Sequence, residues 1–313
     1  MGNTKHVLVY GDAFVDYIAK TIENNSFNRH LGGATVNVAA GVSRLGIPSA
    51  FITISGDDET SAFVREELER EGVNLAYSVL LPEKRVSGVY VHLTPEFDRI
   101  FAKYENDTPD LQVMKADLQE EAFENASVFH ICSGTTFHPD ALSTTLQAMN
   151  MAKKHGALFS FDVNIRPLRW ESEKQCRETV KGFLPSVDVL KLAKEEAIFL
   201  METATWEEGV DRLSEFQIPL VFVTDGENGT YAIFEGEILH IPVVPVKPVD
   251  TTGAGDAFMA GILRHIHLNG LPATREEVME CAHFGNKLGA ICTTKPGALT
   301  ALPRLEELND FFD

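Results

Sequence analysis

Short runs of Val, Ile, Leu and Phe alternate with amphipathic stretches along most of the chain. The runs at 6–10, 49–54, 127–132, 157–161, 187–190 and 220–224 predict strands. They are mostly apolar, as expected of strands covered on both faces. Between them, 36–45 carries apolar residues at 38, 39, 42 and 45, and 62–71 and 140–154 follow the same helical period. Strand and helix in alternation predict an α/β fold with a mostly parallel central sheet. Two segments break the rhythm. Alternating residues within 13–31 and 85–104, such as Val86, Gly88, Tyr90 and His92, predict a small antiparallel sheet beside the main one. Two such insertions suit a lid that closes a site and excludes water.

No long linker, internal repeat or low-complexity tract interrupts the pattern, so 1–313 is read as one domain with that lid. The balance of 46 acidic against 27 basic residues, a net charge of −19, argues against a nucleic-acid or anionic-membrane partner, because both need a basic face. It leaves room for a phosphorylated small molecule, which a few local donors can hold. Cys132, Cys176, Cys281 and Cys292 are too widely spaced for a zinc site and read as buried or free thiols. The apolar run before Gly11 is too short for a signal peptide or a membrane span, so a cytoplasmic location is expected.

The stretch DTTGAGDAF, residues 250–258, carries the most chemistry. Gly253 and Gly255 let the backbone approach a ligand closely, and a helix-periodic segment follows at once. Amides delivered at a helix N-terminus make an anion site. Asp256 there is either a first-turn partner of the helix dipole or a base that takes a proton from an attacking hydroxyl. The P-loop, dinucleotide, zincin and serine-hydrolase motifs are all missing from the chain. A second cluster joins GDAFVD (11–16) to GGATVN (32–37). Asp12 and Asp16 leave the C-terminal end of the first strand, where open α/β sheets bind ligands. Asp16 and Asn37 suit sugar hydroxyls, while Gly32 and Gly33 let a polyol lie on the backbone; a plain turn and helix cap is the competing reading.

DTTGAGDAF, GGATVN followed by VAAGVSRLG (38–46), and the closing GALTALP (297–303) resemble, in order, the motifs of the ribokinase-like, or PfkB, family of carbohydrate kinases. The resemblance implies a three-layer α/β/α fold with a small β-sheet lid. It implies Asp256 as the catalytic base and the amides of Gly253, Ala254, Gly255 and Asp256 as the anion hole for the γ-phosphate of ATP. Asp16, Gly33 and Asn37 match sugar-binding positions. In KLAKEE (191–196), Lys191 and Glu196 match the family's K-x-N-x-x-E pattern, with Glu196 organising Mg²⁺ through water and Ala193 standing where Asn is usual. Thr224, Asp225, Gly226 and Gly229 match the nucleotide-side turn, and Asn286 a position near the adenine. Asp250 and Thr252 resemble part of a monovalent-cation loop, with K⁺ as the ion.

DVNIRPLRW (162–170) resembles the D-x-N-x-R-x-x-x-W stretch of fructokinases and 2-keto-3-deoxygluconate kinases. Its Arg166 can bind a carboxylate, hydroxyls or phosphate; a surface salt bridge is the alternative. In the lid stretch 99–108, Glu105 stands where such kinases tend to carry Arg, and a carboxylate there would repel an acidic sugar. The expected activity is therefore ATP-dependent phosphorylation of a primary hydroxyl on a small neutral sugar, with fructose first. 2-Keto-3-deoxygluconate kinase is the rival, and a catalytically silent sugar or nucleotide sensor the alternative of another class. Open strand edges on the lid make a homodimer through the lid a further expectation.

Overall fold

The computed structural model describes residues 5–82, 84–95, 99–105 and 112–308. In chain order its strands and helices are β1 (His6–Tyr10), β2 (Phe14–Ala19), β3 (Phe27–Gly32), α1 (Ala34–Arg44), β4 (Ser49–Ile52), β5 (Ile54–Ser55), α2 (Glu59–Arg70) and β6 (Val79–Leu80). There follow β7 (Gly88–Leu93), β8 (Arg99–Glu105), α3 (Glu120–Glu124), β9 (Ala126–Cys132), α4 (Pro139–Lys154), β10 (Leu158–Asp162), α5 (Glu173–Phe183) and β11 (Val189–Ala193). The chain continues through α6 (Lys194–Met201), α7 (Trp206–Leu213), β12 (Leu220–Thr224), β13 (Thr230–Phe234), β14 (Glu237–Ile241), α8 (Ala254–Asn269) and α9 (Arg275–Thr293).

Among the described residues the main sheet has the order β14-β13-β12-β11-β10-β9-β1-β4, parallel from β4 through β12 and antiparallel in the last two pairings. Strand β1 shows why the chain forms three layers. Val7 and Val9 enter the core beneath α1, α8 and α9, whereas Leu8 and Tyr10 enter the core beneath α3 to α7. Each such fully buried side chain contributes about 1.5–3 kcal/mol, so a strand buried on both faces is strongly held in register. All four cysteines are buried and free.

Several boundaries differ from the periodicity reading. The run 49–54 is two strands, because Thr53 interrupts the ladder and its carbonyl accepts the Val79 N–H at 2.8 Å. The strand expected at 187–190 begins at Val189, since Val187 still closes a 3₁₀ turn onto Leu184. The β13–β14 hairpin turns on Glu235 and Gly236, both at positive φ, as a two-residue hairpin turn requires.

The small sheet runs β3-β2-β7-β8. It is not purely antiparallel as expected: β2 and β7 pair in parallel, and each carries an antiparallel hairpin partner on its outer side. The chain enters both inner strands in the same direction, and six elements separate them. Residues 96–98 of the expected 85–104 insertion, and both termini of the expected 1–313 domain, lie outside the described residues.

Candidate active site

The parallel strands β1, β9, β10, β11 and β12 all end on one edge of the sheet. The order reverses about β1, whose neighbours β4 and β9 lie on opposite sides, and open α/β sheets form their ligand crevice at such a point. Asp12, Cys132, Asp162, Ala193 and Thr224 stand at these strand ends or directly after them.

Helix α8 begins over this edge. Gly253 caps it at φ +81°, and a Cβ there would lie 2.8 Å from Ala298 Cβ, so both the conformation and the space demand glycine. The Ala254 N–H already donates to the Thr251 carbonyl at 3.3 Å, whereas the N–H groups of Gly255 and Asp256 precede the first intrahelical acceptor and can face an anion. Asp256 is buried in that turn, and its Oδ2 accepts a 2.7 Å hydrogen bond from Asn37 Nδ2 on α1. Burial pushes the Asp256 carboxyl up from the usual range, while the Asn37 bond and the charges of Lys191 and Arg166 oppose the shift. Asn37 Oδ1 is buried without a hydrogen-bond partner among the described residues. An orphaned acceptor beside a buried carboxylate suits an incoming hydroxyl.

The other residues expected on the sugar side gather on the β1 flank. Asp16 leans over Gly32, where a Cβ would meet its Oδ2 at 2.6 Å; burial raises its carboxyl to about 6. The Asp12 carbonyl lies against Gly33 and accepts from Thr35 Oγ1. Arg166 is exposed and donates to the carbonyl of Ile165; the alternative reading, a surface salt bridge, has no partner among the described residues, and the charge of Arg166 reaches Asp256. The neighbouring Arg169 sits 4.3 Å from the Phe137 ring and 5.4 Å from that of Phe14, which shares the Asp16 face of β2.

Glu105 corrects a sequence expectation. Register places Asp16 opposite Val89 and Tyr104, whereas Glu105 pairs with Gly88 on the other face of the small sheet. There it meets Lys103 at 3.6 Å and the Tyr90 hydroxyl, and Lys103 lies over the Tyr90 ring. Its carboxylate therefore lies on the sheet face opposite Asp16, and its pairing with Lys103 weakens any repulsion of an acidic ligand held there.

Beyond α8 lie the residues expected on the nucleotide side. Lys191 is buried midway along β11, its Nζ 3.0 Å from where a Gly255 side chain would begin and 3.1 and 3.2 Å from the two Asp162 oxygens. Glu196 spends one oxygen on the Ala193 N–H and the other on the Ile165 N–H, tying α6 to the 163–169 loop. Ala193 offers only its backbone. Thr224 Oγ1 donates weakly to the Leu192 carbonyl. Gly226 and Gly229 form the turn after β12, where Asp225 pairs with Lys194 at 2.6 Å. Asn286 belongs to another neighbourhood: it donates to the carbonyls of Ile241 and Pro242 and accepts from Thr230. Its amide pins the strand after the hairpin, which leaves one lone pair for any ligand. Asp250 accepts from Thr252 N, Thr252 Oγ1 and Gly297 N, folding 250–252 against 297.

Asp162 is a site residue that the sequence marks only faintly. The available signal was its place at the head of DVNIRPLRW directly after an apolar strand, the same position that drew attention to Asp12.

A family model described as pfkB family carbohydrate kinase matches residues 4–305. A fructokinase of Vibrio alginolyticus is 33% identical over 305 residues, 97% of this chain and 98% of the relative. The crystal structure of a Vibrio cholerae O395 fructokinase with fructose, ADP and a calcium ion bound superposes with a TM-score of 0.89 at 32% identity, covering 99% of this chain and all of the other. A double mutant of that enzyme with fructose, ADP and a potassium ion gives 0.88 at 31% identity, with 99% of each chain covered.

Proposed function

The chain belongs to the pfkB family of carbohydrate kinases, and from that premise we propose that it is an ATP-dependent fructokinase acting on a primary hydroxyl of fructose. The observation that carries the reading is the buried Asp256 carboxylate in the first turn of α8, held by Asn37 on α1, the helix that follows Gly32, against which Asp16 lies. The fructokinase relatives, similar over nearly the whole chain, support the sugar.

In this reading Asp12, Asp16, Gly32, Gly33, Asn37 and Arg166 hold the sugar. Asp256 takes the proton of the hydroxyl as its oxygen bonds to the γ-phosphorus. The bond from that phosphorus to the β,γ-bridging oxygen breaks, and ADP leaves with the electron pair. The amides of Gly253, Ala254, Gly255 and Asp256 receive the charge on the transferring group. The nucleotide runs along Lys191, Thr224, Gly226 and Gly229 towards Asn286.

Glu196 fits an outer-sphere Mg²⁺ site: two backbone N–H groups fix its carboxylate and leave lone pairs for the ion's waters. Bound there, the ion would neutralise charge on the phosphate oxygens. Asp250 and Thr252, with a carboxylate and carbonyls in a folded loop, fit a K⁺ site, and the potassium-bound relative supports that ion. The 13–31 and 85–104 insertions act as the lid that closes on the sugar, and the outer strands β3 and β8 offer edges for a homodimer. Among the described residues no helix is long and apolar enough to cross a membrane, and the reading places the enzyme in the cytoplasm.

A coupled ADP-release assay over a panel of sugars tests the activity. The expected result is the highest kcat/KM on fructose, dependent on ATP and Mg²⁺. Turnover of 2-keto-3-deoxygluconate with none on fructose overturns the substrate, and sugar binding without turnover on any sugar overturns the enzyme reading in favour of a sensor.

A further inference from the structure

The sheet face beneath α8 is mostly apolar. Val128, Val189 and Phe222 are fully buried there, as befits a surface covered by α1, α8 and α9. Four polar residues interrupt it on three neighbouring strands: His130 on β9, Ser160 and Asp162 on β10, and Lys191 on β11. His130 Nδ1 and Ser160 Oγ satisfy one another at 2.9 Å. The Asp162–Lys191 pair is harder to explain. Both residues are buried, and an ion pair taken out of water is often less stable than apolar side chains of similar volume. Stability does not account for it.

Position does. Lys191 Nζ lies against the first turn of α8, 3.0 Å from the place a Gly255 side chain would occupy. Three carboxylates act on this ammonium, those of Asp162, Glu196 and Asp256. Among the described residues only Asp162 bonds it, and it does so with both oxygens from the directly opposed position on the next strand. That contact restrains the cation from turning onto Asp256, whose oxygens must stay open to a proton. Three N–H bonds on the ammonium against one carboxylate leave a donor for an oxyanion at the α8 terminus.

We infer that Asp162 is a positioning residue for phosphoryl transfer: it holds Lys191 so that a fixed cation supplements the backbone anion hole without neutralising the Asp256 base. The inference rests on the kinase reading and is separable from the identity of the sugar.

The test compares wild type with Asp162→Asn, Asp162→Glu, Lys191→Met and the double variant Asp162→Asn/Lys191→Met, using melting temperature and steady-state kinetics on the best sugar of the panel. Asp162→Asn is expected to lower kcat at least about tenfold with KM for the sugar within about twofold, and Asp162→Glu to recover part of the loss. The double variant removes both charges and is expected to regain the stability lost in Lys191→Met while its kcat stays low. A double variant that is both stable and fully active shows a merely structural pair and overturns the inference. If Asp162→Asn fails to fold, the double variant carries the comparison. If no sugar is turned over, binding of the β,γ-imido analogue of ATP relative to ADP, each with Mg²⁺, decides the matter. The double variant is expected to lose at least about threefold of that preference, and an unchanged preference overturns the inference whatever the substrate.

Discussion

Asn37 Nδ2 donates to Asp256 Oδ2 at 2.7 Å, joining the first turn of α1 to the first turn of α8 across 219 residues of sequence. The bond crosses from the sugar-side cluster to the anion site, so one contact sets the direction of the carboxylate and links the two halves of the crevice. Its donor is neutral. It therefore stabilises the ionised base without cancelling its charge, as a lysine in the same place would.

Replacing Asp256 by Asn keeps the shape and removes the proposed proton acceptor. Turnover is expected to fall at least about 10²-fold while sugar affinity stays within a few-fold. Sugar binding measured by calorimetry alongside the coupled assay checks both halves, and near-normal turnover sinks the assignment of the base.

Asn37→Ala removes the strongest opponent of burial at Asp256. The sign follows directly. The hydrogen bond favours the ionised carboxyl, so its loss raises the pKa further, and the fraction of ionised base at a given acidic pH falls. The acid limb of kcat against pH should therefore move to higher pH, together with a rise of roughly tenfold in KM for the sugar through the lost amide. An unmoved acid limb means that the bond does not tune the base.

Local features of this site are legible in the sequence, and features set by register are not. Asp256 and its glycines lie within four consecutive residues whose geometry follows from a helix start, so DTTGAGDAF reads without a structure. Strands β1 and β12 are equally plain, because strands buried on both faces carry mostly apolar residues, here Val7–Val9 and Leu220–Val223. The Asp162–Lys191 pair requires knowing that β10 and β11 are neighbours and in which register, information 29 residues apart that no local pattern carries. The face that Glu105 takes is hidden in the sequence for the same reason. One step along a strand changes the face, and only the pairing with Gly88 shows which face it takes. The β13–β14 hairpin escaped because Thr230–Phe234 is not alternating, and its one clear signal was the Glu235–Gly236 turn.

Burial raises Asp16 from 3.8 to about 6. Between those values the folded protein holds a proton that the unfolded chain has lost, so stability falls as pH rises through this window and stays lower above it. Asp16→Asn removes the cost of ionising a buried group and should stabilise the unliganded protein at pH 7 to 8 by roughly 1–2 kcal/mol, discounted for the partly open side of the site. It should also flatten the rise in KM for the sugar expected as pH drops below about 6, where the wild-type Asp16 becomes protonated and loses acceptor capacity. Denaturant melts at pH 5 and 8 with matching KM values decide it, and a variant no more stable than wild type at pH 8 contradicts the buried-charge account.

Gly253 and Gly236 have nearly equal φ, +81° and +80°, but different surroundings. A Cβ at Gly236 meets nothing within 4 Å, so Gly236→Ala bears only the strain of a left-handed residue, about 1 kcal/mol, and should leave the kinetics untouched. A Cβ at Gly253 would approach Ala298 Cβ to 2.8 Å and its Cα to 2.9 Å. Backbone must move to relieve that contact, either at Ala298 or at Gly253 itself, which caps the first turn of α8 where the proposed anion hole and Asp256 lie. Gly253→Ala should therefore cost more stability, roughly 2–4 kcal/mol, and lower kcat at least about 10²-fold through displaced amides. Paired melts and kinetics separate the two effects: a Gly253→Ala protein as active as Gly236→Ala would show that the α8 terminus does not hold the transferring group.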